Sequence, residues 1–186
     1  SLADRRTPHL TLHRLHGKTL CKGYYNMASS TFSGPVTSTA GFISGSDSLV
    51  SITADATITS ASHAGRTMNL NVASGATLTL PAAAGTGNTY RFFVQTTITS
   101  NNYVIQVANG DDTMSGVAVV ANDGGATASI FETAADSDTI TLDGTTTGGI
   151  LGGHIEIQDV ASNKFRVLIN QAATGTEATP FSAAVS

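Results

Sequence analysis

A chain of 186 residues with 40% hydrophobic but only 12% charged side chains is long enough for one domain with a core that needs no staples. Its single cysteine, Cys21, excludes an internal disulfide framework, and no run approaches the ~18 apolar residues of a membrane span. The net charge of −4 is split unevenly: residues 1–26 carry five basic residues against Asp4, a balance of +4, while the other 160 carry four basic and twelve acidic ones, a balance of −8. Such a reversal of sign marks a boundary in the chain.

Residues 1–48 read as a basic arm followed by a lead-in rich in Ser, Thr and Gly. The arm holds Arg5, Arg6, Arg14, Lys18 and Lys22, with Leu10, Leu12, Leu15 and Leu20 as apolar anchors. Those leucines suit either a short amphipathic helix or an extended strand. Basic residues and histidines interrupt every apolar segment, so a secretory signal is not expected. Five cations over 26 residues, with only Tyr24 and Tyr25 for stacking, are few for nucleic acid. Met27-Ala-Ser-Ser also reads as a natural start, with Lys22-Gly23 matching a ribosome-binding sequence a few codons upstream. The alternative is an arm that docks on a neighbouring subunit, since a segment without its own core otherwise frays. In the lead-in, Phe32, Val36, Phe42 and Ile43 are isolated apolar hooks, and Gly34-Pro35 favours an extended or turn conformation.

From residue 49 to 170 short alternating runs follow one another, bounded by Gly, Asn, Asp and Pro. Strands are predicted at 49–53, 56–59, 66–72, 76–80, 89–97, 103–108, 116–121, 126–133, 138–142, 154–160 and 164–170. Pro81 cannot donate to a ladder and ends the fourth. Phe93, on the opposite face from Phe92, predicts burial on both sides of its strand. The last two runs form the cleanest hairpin, with Ile155, Ile157, Phe165, Val167 and Ile169 inward and Glu156, Gln158, Lys164 and Arg166 outward. Residues 171–186 read as a small polar tail apart from Phe181 and Val185. Many short strands without a convincing helix predict an all-β fold, a compact antiparallel sandwich or barrel of jelly-roll type. The Gly/Thr/Ser/Ala richness would also suit a β-helix or fibre shaft, but no fixed period is present, and repeat folds require one.

No catalytic constellation emerges. Gly85-x-Gly87 and the Gly148–Gly153 cluster lack the following helix or the Lys-Ser/Thr pair of nucleotide loops. There is no Gly-x-Ser-x-Gly elbow, and Cys21 lies outside the β body. Asp111-Asp112 and Asp136-x-Asp138 match no calcium loop and read as turn-capping groups. His63 and His154 have no third partner in the body, and His9, His13 and His16 lack a matched Cys or carboxylate for zinc. A non-enzyme without cofactor or metal is expected.

The segment Met27–Phe42, MASSTFSGPVTSTAGF, resembles the opening of small proteins encoded beside the major capsid protein in tailed-phage genomes. The runs LTLPAAAGTGNTYRFFV, TTITSNNYVIQVAN and DDTM, within residues 76–114, are similar to the same group. The resemblance implies a capsid decoration, or cement, protein: a β-rich module, often trimeric, that sits on the capsid exterior and clamps neighbouring capsomers. Its implied partners are the major capsid protein and further copies of itself, and its implied location is the virion. The residues expected to reach a partner are those of the arm and lead-in: Arg5, Arg6, Leu10, Leu12, Arg14, Leu15, Lys18, Lys22, Phe32 and Phe42. The alternative is a receptor- or glycan-binding module of a head or tail fibre, in which Tyr90, Tyr103 and loop Asn and Asp residues would hold a sugar.

Overall fold

The alternating runs become strands in the computed structural model, which describes residues 49–186. In chain order these are β1 (Leu49–Ile52), β2 (Ala56–Thr57), β3 (Thr67–Leu70), β4 (Ala76–Thr79), β5 (Thr89–Val94), β6 (Tyr103–Gln106), β7 (Thr113–Ala121), β8 (Ala128–Glu132), β9 (Thr139–Leu142), β10 (His154–Ala161), β11 (Lys164–Ala172) and β12 (Phe181–Ser182). A single helical turn, α1 (Ser60–His63), lies between β2 and β3. No helix among the described residues is long and apolar enough to cross a membrane.

Two sheets face each other as a β-sandwich. The larger has the order β1-β3-β5-β10-β11-β7-β8, and the smaller has the order β12-β9-β6-β4-β2. Register explains the core. Val50, Met68, Phe92, Ile155, Ile169, Ala118 and Phe131 fall opposite one another across all seven strands of the larger sheet. Leu78, Ile105, Ile140 and Phe181 do the same across the smaller one. All but the edge residues Val50 and Phe131 are buried. Each fully buried side chain of this size contributes about 1.5–3 kcal/mol, so the period-two pattern fixes which face turns inward.

The pairing is mixed rather than wholly antiparallel, and the jelly-roll comparison holds for the two facing sheets but not for strand direction. Five of the ten pairings are parallel. Four of these arise because the chain from β1 to β6 alternates between the sheets, so that β1, β3, β5 stack in one and β2, β4, β6 in the other. A parallel pair needs a long return path, and here a strand of the opposite sheet provides it. The first half of the body is thus a coil of three rungs. Its intervals are unequal: Val50, Met68 and Phe92 stack at steps of 18 and 24 residues, and Ala56, Leu78 and Ile105 at steps of 22 and 27. Loops of different length absorb the difference, which is why no fixed period is visible in the sequence.

The second half closes the sandwich. The predicted hairpin forms as β10 and β11, with Ile155 opposite Ile169 and Ile157 opposite Val167. Asn163 makes the turn at φ 59, a conformation Asn tolerates. β11 then lies parallel to β7 over nine register pairs. The tail is not peripheral: β12 pairs with β9, Phe181 is buried and Val185 packs on the core.

Candidate interaction surfaces

The arm and lead-in residues Arg5, Arg6, Leu10, Leu12, Arg14, Leu15, Lys18, Lys22, Phe32 and Phe42 lie outside the described residues. What can be built from residue 49 onward is a set of loop-locking carboxylates, a polar depression and an apolar strip.

Four aspartates are held by amides and hydroxyls. Asp159, buried at a bulge of β10, accepts the amides of Ala84 (3.1 Å), Gly85 (2.7 Å) and Thr86 (3.0 Å) and the Thr86 hydroxyl (2.6 Å). Asp112 holds the same loop from its other end through the amide of Ala83 at 3.1 Å, and accepts Asn109 Nδ2 at 3.0 Å. Asp138 takes the amides of Ala184 and Val185 and so pins the tail. Asp143 closes its own loop through the amides of Thr145 and Thr147 and the hydroxyl of Thr146. Asp112 caps its own turn through Asn109, as expected, and both Asp112 and Asp138 also join segments distant in sequence. Among the described residues no three His, Cys, Asp or Glu side chains gather to hold a metal ion.

Burial raises the pKa of Asp143, but the Thr147 and Thr145 amides and neighbouring threonine hydroxyls outweigh it and lower the carboxyl from 3.8 to about 2. At Asp159 burial again raises the pKa, and the Thr86 hydroxyl with the amides of Thr86, Gly85 and Ala84 brings it below its ordinary value. A depressed folded-state pKa stabilises the fold above the unfolded value and loses that contribution as pH falls through the folded one. Stability should therefore decline between 3.8 and about 2. Urea midpoints measured across that window check this. A Asp143→Asn variant should show a shallower decline, and an unchanged slope would exclude Asp143 as a source.

The smaller sheet's β2–β4 edge carries two open depressions of about 230 and 310 Å³ that share Asp55 and Thr77. Thr57 and Thr79 line one; Ser74, Asn101 and Asn102 line the other. Asp55 also accepts the Thr77 amide at 2.7 Å. Tyr90 and Tyr103, the aromatics expected to face a sugar, are buried. The Tyr103 hydroxyl donates to the Val72 carbonyl at 2.7 Å and accepts the Val72 amide at 2.9 Å, holding the corner after β3. The Tyr90 hydroxyl sits 3.2 Å from Ser60 Oγ.

On the outer face of the larger sheet, Val117 lies opposite Leu168, and Val119 lies opposite Ile130. Ile130 is 67% exposed. Phe93 shares this outer face, half-buried rather than covered on both sides, and is separated from Val119 by His154 and Asn170. Arg91 and Glu156 pair at 3.0 Å beside it, a half-exposed contact worth at most about 1 kcal/mol. Sequence reading missed this strip because alternation reports which residues can face inward. It does not report which of the remaining apolar residues share an outer face. No protein-family model, curated protein or solved structure matches the chain.

Proposed function

We propose that this is a structural virion protein that binds the outside of a phage capsid and stabilises it by clamping neighbouring capsid subunits. The observation that carries the reading is how the body uses its buried polar groups. Asp112 and Asp159 fix the loop at residues 83–86 from two strands, and Asp138 fixes the tail. A stiff scaffold of this kind suits work done by contact, because a clamp that is already ordered loses little entropy on binding. The resemblance in residues 27–42 and 76–114 supplies the identity of the surface to be clamped. Within this reading the arm, residues 1–48, reaches an adjacent subunit, and contact with several subunits at once multiplies weak affinities.

The test is addition of the purified chain to capsids that lack it. Co-sedimentation and a higher temperature of capsid opening are expected. Deleting residues 1–48 should lower occupancy while the circular dichroism of the body is retained. Absence of binding by the full chain would overturn the proposal. The hydroxyl- and amide-lined depressions beside Asp55 favour a second reading, a glycan-binding fibre module. Glycan-array binding together with no capsid association would select it.

A further inference from the structure

β8 ends the seven-stranded order and pairs only with β7 among the described residues. The Asn122 amide donates to the Thr127 carbonyl at 3.0 Å, and the Thr133 amide donates to the Gly116 carbonyl at 3.1 Å. From these two bonds the alternation of an antiparallel ladder assigns every backbone group between them. Residues 127, 129, 131 and 133 spend theirs on β7. Ala128, Ile130 and Glu132 turn theirs toward the open edge. The same three residues are the exposed ones of the strand, so unpaired backbone and free side chains lie along one border.

Open edges are usually blunted by shortness, charge (lysine above all), proline or a bulge, and here the one charge is Glu132 at the end of the strand. The edges of the smaller sheet are two-residue strands. β8 has five residues, Ala-Ser-Ile-Phe-Glu, with no lysine or proline, and its register with β7 has no shift. It also borders the strip of Val117, Val119 and Leu168. Exposed apolar surface beside an unprotected edge is what an interface requires.

We propose that two copies of this chain join β8 to β8, antiparallel, across a two-fold axis at Ile130. Three observations favour a second copy as the occupant. The outward groups of Ile130 meet their own counterparts and exchange both bonds. Each Glu132 falls opposite a neutral Ala128 and not opposite another carboxylate, so the strand does not repel itself. The apolar strip continues across the axis, with Val119 flanking each Ile130, and the contact is closed and self-complementary. The assembly is a dimer, not the trimer that the resemblance implies. It stands apart from the capsid reading because its readout is mass in solution.

Light scattering on the full chain should give the mass of two chains. Ile130→Lys and Ile130→Glu should each give one chain, because like charges would meet at the axis, and should weaken association at least about 100-fold. Ile130 is exposed within the chain, so both variants should keep the wild-type circular dichroism. Leu151→Lys, at a loop residue 61% exposed, should remain a dimer. An equimolar mixture of the Lys and Glu variants should restore the mass of two chains, since opposite charges then meet. A wild-type monomer or trimer, a dimeric Ile130→Lys protein, or a mixture that stays monomeric would each overturn the proposal.

Discussion

Gly116→Ala is expected to destabilise the body by more than about 3 kcal/mol, a large part of the 5–15 kcal/mol that holds a typical domain together. A Cβ at Gly116 would overlap the carbonyl oxygen of Val167 and stand 3.1 Å from its Cγ1. The first of these is backbone in the adjacent strand and cannot swing aside. β7 and β11 are parallel through Thr113–Ala121 and Lys164–Ala172, so relief requires parting the longest ladder in the fold. The damage would spread to β8. The Gly116 amide donates to Thr133 Oγ1 at 3.1 Å, and its carbonyl accepts the Thr133 amide at 3.1 Å. Urea unfolding followed by circular dichroism measures the loss. Gly87→Ala is the control: nothing lies within 4 Å of the added Cβ, and its φ of +77° costs an L-residue about 1–2 kcal/mol. Equal stabilities for the two variants would show that close approach at Gly116 is not what the sheet depends on.

Asp159→Ala should cost about 3–5 kcal/mol. It removes the acceptor for three amides and one hydroxyl at once, and each buried donor left without a partner costs about 1–3 kcal/mol. Water entering the opened loop would recover part of this, which keeps the total below the sum. The remaining ties to the loop include Asp112 to the Ala83 amide, the Asn163 amide to the Ala83 carbonyl and the antiparallel bridge of Ala84 with Ser162, and they should hold its start in place. The expected signature is therefore local as well as global. Amide exchange at residues 84–86 should accelerate far more than exchange at Ala83 or in β5. Asp159→Asn should lie between, since one carboxylate oxygen becomes a donor facing other donors. Uniform acceleration across the body would remove Asp159 as a specific lock.

Both residues show where sequence reading stops. Gly116 stands inside a run of alternating apolar residues, and nothing beside it in the chain announces Val167. Asp159 falls on the inward phase of its strand, two residues after Ile157, but nothing beside it in the chain announces the amides of residues 84–86. The loop it holds was legible only as a glycine-bearing turn. The strip at Ile130 escapes for the same reason, because nothing local in the chain shows that Val117, Val119 and Leu168 share a face with it.

The sequence by itself determined the all-β composition, the positions of eleven strands, the hairpin of β10 and β11 and its inward residues. Those follow from period-two alternation and turn chemistry, which are local and act wherever the chain goes. Tertiary structure decided that β1 to β6 wind as a coil with parallel neighbours, that residues 181–182 rejoin the smaller sheet, and that four aspartates hold loops and tail. Strand direction depends on which sheet receives the next segment, and that is settled by burying both inner faces together. No single strand, whatever its pattern, carries that information.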